Sequence, residues 1–278
     1  MYRKTLTLLV VIFPAVSYAG LFDSRQELKC GDDNAIAVAK KWIYDEGTGH
    51  LQQSYLQDSK GLFFDIPQNQ YEQQLRAIPV NFSDIITQPT KPENENIRTC
   101  SVTVSMDVPD PLFKVIRELP DTVASIGQGR GQLINTKVIW KEVKYNIQLA
   151  DNGKDIVMTP VQQINNLTWS IYTMARLSVS GDEIIKKRND SKIEIAAKNF
   201  ERQDRELNDV WNSLPASSRA ALKKEQRDWV AKKEQQCGKL SDAKSVAVSA
   251  TQRISIYQCQ GEMTSTRTNY LDGSELPD

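Results

Sequence analysis

The stretch EQRDWVAKKEQQC, residues 225–237, reads as a charged helix with a tryptophan in its middle and a cysteine at its end. Ala220, Leu222, Trp229 and Val230 mark an apolar stripe along it, flanked by Asp228, Lys232 and Lys233. The expected place of Trp229 is therefore the core of a small helical unit, and Cys237 should tie that helix to a neighbour. Upstream, SKIEIAAKNFERQDRELNDVWNS (191–213) carries Ile193, Ala197, Phe200, Leu207, Val210 and Trp211 on one helical face, and Leu214-Pro215 breaks it. Downstream, Val246, Ala250, Ile254, Tyr257 and Met263 predict a third helix over about 242–271. Three amphipathic helices with short breaks make a small bundle over 191–278.

The N-terminal half has a different rhythm. In CSVTVSMDV (100–108), Cys100, Val102, Val104, Met106 and Val108 alternate with small polar residues, the period of a strand with one buried face. TKVIWKEVKYNIQL predicts a second strand whose register slips by one at Lys141–Glu142, as a β-bulge would produce. Asn152-Gly153 predicts a hairpin turn after it, and residues 80–87 a further strand. DDNAIAVAKKWIYD (33–46) predicts a helix capped by Asp32 or Asp33 and stopped at Gly47, with a second helix at 68–77 and a short one bracketed by Pro109, Pro111 and Pro120. The glycines in and just before QGRGQ, at 127, 129 and 131, lack the strand and helix of a phosphate loop and read as a turn. The expected fold is two-domain: an N-terminal α+β domain (20–160), helices on a curved antiparallel sheet, then a C-terminal all-α, disulfide-stapled three-helix domain. A connecting helix over 161–190, with Trp169, Tyr172 and Met174, should join them and end at Ser180-Gly181-Asp182.

Residues 1–19, with Arg3 and Lys4 before an apolar run and small Ser17 and Ala19 before Gly20, have the plan of a secretory signal peptide. They predict a periplasmic or secreted mature chain without a membrane span. Removing Arg3 and Lys4 from 35 basic residues leaves 33 against 35 acidic ones, a net charge near −2 that does not suggest nucleic acid. Four cysteines in an oxidising compartment predict two disulfides; of the three pairings, spacing favours Cys30–Cys100 and Cys237–Cys259. No CxxC pair and one histidine, His50 in the loop-like EGTGHLQQS, argue against zinc and against a histidine-dependent nucleophile. No metal or cofactor is expected, and no catalytic residue.

DRELNDVWNSL (204–214), EQRDWVAKKEQQC (225–237) and YQCQGEMTSTRTNYL (257–271) together resemble the LprI-type lysozyme-inhibitor domain over roughly 195–272. The matching elements are Leu207-Asn208, Gln226-Arg227-x-Trp229, Lys233-Glu234 where the family usually has arginine and an acid, Cys237, Cys259, and Thr264 with Arg267. The resemblance implies an exported bacterial protein that blocks lysozyme or a related hydrolase; it leaves the first half without a named relative. Leu207, Asn208, Gln226, Trp229 and Thr264 are expected to be structural. Residues 215–271 hold ten basic and five acidic side chains, including the i,i+4 pair Lys224–Asp228. Arg227, Lys233, Arg267, Lys223 and Arg253 are the candidate partner-binding cations, suited to a cleft that works with two carboxylates. Arg227 and Arg267 have a rival role, clamping the bundle through Glu206 or Asp204. Two other functions compete: an envelope adaptor binding another envelope protein through the α+β half, and an enzyme built on carboxylates among Asp32, Asp33, Asp45 and Glu46.

Overall fold

A computed structural model of the chain describes residues 28–88 and 96–274. The signal-peptide expectation for 1–19 lies outside them. No helix among the described residues is long and apolar enough to cross a membrane.

The first half is α+β. Helices α1 (Asp33–Leu56) and α2 (Gln68–Ala77) precede strands β1 (Val80–Gln88) and β2 (Ile97–Asp107). Short helices α3 (Asp110–Glu118) and α4 (Thr122–Gly127) lead into β3 (Gln132–Ile134), β4 (Lys137–Leu149) and β5 (Ile156–Thr159). The antiparallel sheet runs β1-β2-β4-β3, with β5 also on β4. Thr103 stands opposite the two residues Lys141 and Glu142, because Val102 pairs with Val143 and Val104 with Trp140. The slip read from the sequence is thus a bulge, with Glu142 at φ 54°. The Asn152-Gly153 turn joins β4 to β5; Gly153 has φ 68°, and the Asn152 side-chain oxygen accepts from the amides of Lys154 and Asp155. Cys100, Val102, Val104 and Met106 of β2 pack inward against Ala39 and Ile43 of α1 and Leu167, Ile171 and Met174 of the next helix.

That next helix corrects two expectations. α5 runs unbroken from Gln162 to Ser213, 52 residues and about 78 Å at 1.5 Å per residue. Ser180-Gly181-Asp182 does not end it, and the connecting helix and first bundle helix are one. Ser180 is buried with its hydroxyl 2.6 Å from that of Tyr71, and a Cβ at Gly181 would run into Val115 of α3. Gly47 likewise does not stop α1, which continues nine residues further to Leu56. A Cβ there would lie 2.6 Å from Ile171 Cγ2. Both glycines are points of close helix approach, where neighbouring turns supply the hydrogen bonds and a side chain would have no room. His50 lies in α1 rather than a loop; its ring stacks on Trp169 at 3.8 Å and its Nε2 is 2.9 Å from Thr168 Oγ1.

The second half is helical. Beyond Leu214-Pro215 the chain reverses into α6 (Ala216–Cys237), then α7 (Leu240–Lys244) and α8 (Ala250–Asp272). The expected third helix is therefore two pieces, with Val246 between them 92% exposed rather than buried. Ser249 caps α8 by accepting from Gln252 N. Ile193, Ala196 and Phe200 of α5 form a second core with Ala243, Ile256 and Tyr257. Both disulfides form as paired by spacing, Cys30–Cys100 and Cys237–Cys259.

Candidate functional site

Helix α6 differs from its neighbours in what holds it. Its one buried side chain is Lys233. The stripe of Ala220, Leu222, Trp229 and Val230 is not a core face: Ala220 and Val230 are exposed, Leu222 and Trp229 half-buried. The expectation that Trp229 packs in the core is corrected accordingly. Its ring is a platform for cations, with Lys233 Nζ 4.8 Å and Arg267 Cζ 5.8 Å from its centroid.

The five candidate cations separate by environment. Arg267, 7% exposed, is a clamp between α8 and α6. Its Nη1 donates to Glu225 Oε1 at 2.6 Å, its Nε to Gln226 Oε1 at 2.7 Å, and its guanidinium lies 4.7 Å from the Tyr270 ring. The clamping role holds, but its acid is Glu225 and not Glu206 or Asp204. Lys233, also 7% exposed, donates to Thr264 Oγ1 at 3.0 Å and lies 5.4 Å from the Phe200 ring. Burial lowers its pKa, and the nearby Asp204 carboxylate works against that fall. Arg253 donates from Nε to the Ala243 carbonyl at 2.8 Å, holding the end of α7 onto α8. These three charges are turned to intramolecular work.

Lys223 and Arg227 are different. Both are exposed, one turn apart on the outer surface of α6, and neither makes a hydrogen bond or ion pair with the described residues. Arg227 lacks the clamp open to it in sequence. On the adjoining face Lys224 pairs with Asp228 at 2.9 Å, as its spacing suggested. A long guanidinium and an ammonium on a helix with so few internal obligations form a cationic ridge that can reach carboxylates of another molecule.

The residues expected to be structural fall into place unevenly. Leu207 is buried and Thr264 fully so, accepting from Lys233 and donating to the Gln260 carbonyl at 2.7 Å. Gln226 receives Arg267, whereas Asn208 is exposed and donates only to Asp204, one turn back. Sequence reasoning did not single out Glu225 or Tyr270, and it read Phe200 only as one member of an apolar stripe. Glu225 and Arg267 are 42 residues apart, and opposite charge was the only hint of their pairing. Of the carboxylates proposed for catalysis, Asp32 accepts from the Lys29 amide at the start of α1 and Asp45 pairs with Lys41 on the helix surface.

No curated protein matches the chain, and no solved structure does. The region formed by the end of α5 with α6, α7 and most of α8, residues 186–271, matches the family model described as lysozyme inhibitor LprI.

Proposed function

We propose that the chain is an exported binding protein that blocks a lysozyme-type muramidase, or a related cell-wall hydrolase, through the cationic ridge of α6. The observation that carries the reading is the family match over 186–271. A retaining glycosidase works with two carboxylates about 5 Å apart. One guanidinium offers five donors in a rigid fork, enough to engage both, so Arg227 is the group assigned to the cleft and Lys223 to its edge. The matched family is described as lysozyme inhibitors, which supports binding rather than turnover as the role. Export is supported by the signal-peptide pattern at 1–19 and by two disulfides, which persist outside the reducing cytosol.

The test is muramidase turnover on purified cell walls, with and without the oxidised mature chain, using more than one lysozyme type. Dose-dependent inhibition is expected. Arg227→Glu should weaken it at least about tenfold, the loss of a charge-assisted contact plus new repulsion, with an unchanged circular dichroism spectrum. No inhibition at large excess, or full inhibition by both Arg227→Glu and Lys223→Glu, would refute the assignment.

A further inference from the structure

Beneath the ridge, between α5, α6 and α8, lies a half-open cavity of about 320 Å³. Phe200, Leu207, Trp229, Val230 and Leu240 give it apolar walls. Its polar lining has unspent hydrogen-bonding capacity of both kinds. Lys233 Nζ carries three N–H groups; one reaches Thr264, and the other two have no hydrogen-bond partner among the described residues, with the Phe200 and Trp229 rings beside them and the Asp204 carboxylate nearby. Gln260 is 2% exposed; its Nε2 donates to the Gly238 carbonyl at 2.7 Å, while its Oε1 is buried without a partner. Gln226 spends its Oε1 on Arg267 and has its Nε2 donor to spare. Asp204 and the exposed Glu234 add acceptors, and Asn208 lines the same space.

Buried donors and acceptors left unpaired are costly, so a cavity that holds both is poised for a guest that satisfies both. The signs of the charges narrow the guest. An anion drawn to Lys233 meets Asp204 and Glu234, and a cation drawn to those carboxylates meets Lys233. A neutral group that both gives and accepts hydrogen bonds is penalised by neither, and a hydroxyl does both. The apolar wall, with two aromatic rings, suits the C–H face of such a molecule. The volume sits at the lower end of ligand pockets (~300–1,000 Å³), room for one ring and not a chain.

We propose that this cavity is a binding site for a single neutral sugar ring, its hydroxyl or acylamino groups bridging the Lys233 ammonium and the Gln260 side-chain oxygen while its apolar face lies along Trp229 and Phe200. The assignment goes beyond inhibition and does not require that the chain block a muramidase.

The experiment is a titration of the full oxidised mature chain with N-acetylglucosamine and with methyl glucoside, followed through the indole N–H resonance of Trp229, identified with Trp229→Phe. Acetate and ethylammonium serve as the anionic and cationic probes. A saturable shift with a millimolar dissociation constant is expected for at least one sugar, as befits a ligand of one ring. Asn208 and Glu234, exposed at the mouth and lining the same cavity, are assigned the ring's outer hydroxyls; either Asn208→Ala or Glu234→Ala should leave the fold intact and weaken sugar binding by about tenfold. No saturable shift with either sugar, a stronger response to acetate or ethylammonium, or wild-type affinity in both variants would overturn the proposal.

Discussion

Replacing Cys237 and Cys259 together with serine should release α6 while leaving the rest of the helical region in place. The disulfide closes a loop with a sequence separation of 22. In the chain-entropy treatment a loop of that size contributes about 3 kcal/mol. Elsewhere in the region that loss would be shared with a packed apolar interface, but α6 fully buries no apolar side chain, Leu222 and Trp229 being only half-buried. What remains are polar ties: the Arg267 contacts to Glu225 and Gln226, the Lys233 bond to Thr264, the Arg219 bond to the Asn212 carbonyl, and the cations against the Trp229 and Phe200 rings. The Glu225 side chain is 49% exposed, so water competes with its ion pair. Local opening of α6 should therefore become easier by nearly the whole disulfide contribution, roughly a hundredfold in its equilibrium constant. Hydrogen exchange read by mass spectrometry on the oxidised wild type and the double variant measures this directly. Peptides from 216–237 should exchange roughly a hundredfold faster, whereas those covering Ile193–Phe200 and Ile256–Tyr257 should change by only a few-fold. Unchanged protection across α6 would show that its docking does not depend on the staple. Equal loss across α5, α6 and α8 would show that α6 is integral to the bundle core, and either result refutes the reasoning.

Arg267→Ala should cost about 2 kcal/mol in urea unfolding, from two lost hydrogen bonds and the ring contacts, and Arg227→Ala should cost nothing measurable. Gly47→Ala forces a methyl group toward Ile171 and should destabilise by about 1–3 kcal/mol despite alanine's better helix propensity; a stabilised variant would contradict the close approach. Burial lowers the His50 pKa from 6.5, with Glu46 opposing. The unfolded chain then takes up this proton more readily, so stability should fall as pH drops below about 6.5, and His50→Gln should flatten that part of the profile. An identical pH profile in the variant would sink the assignment.

Much of the fold was legible because local pattern and tertiary outcome agreed. Alternation in 100–108 can bury only one face of a strand, and the slip at Lys141–Glu142 had to surface as a bulge once both strands faced the same core. The site was legible in its parts but not in its roles. Periodicity marks Trp229 as belonging to a face, but nothing local says whether that face meets a core or two cations. Five basic residues looked alike as candidates, and only their partners across the bundle separate Arg267, Lys233 and Arg253 from Lys223 and Arg227.

By itself, the sequence determined the α+β half followed by helices, the hairpin at Asn152-Gly153, and a pair of disulfides consistent with spacing. These rest on backbone periodicity, turn stereochemistry and chain proximity, which act over a few to a few tens of residues. Only the tertiary structure decided that Gly47 and Gly181 are contacts rather than helix ends, that α5 is a single rod shared by both halves, and that Lys233 points inward. Each of these depends on what a distant element places opposite the residue — Ile171, Val115, or Phe200 with Thr264 — and a glycine or lysine carries no local mark of the neighbour it will meet.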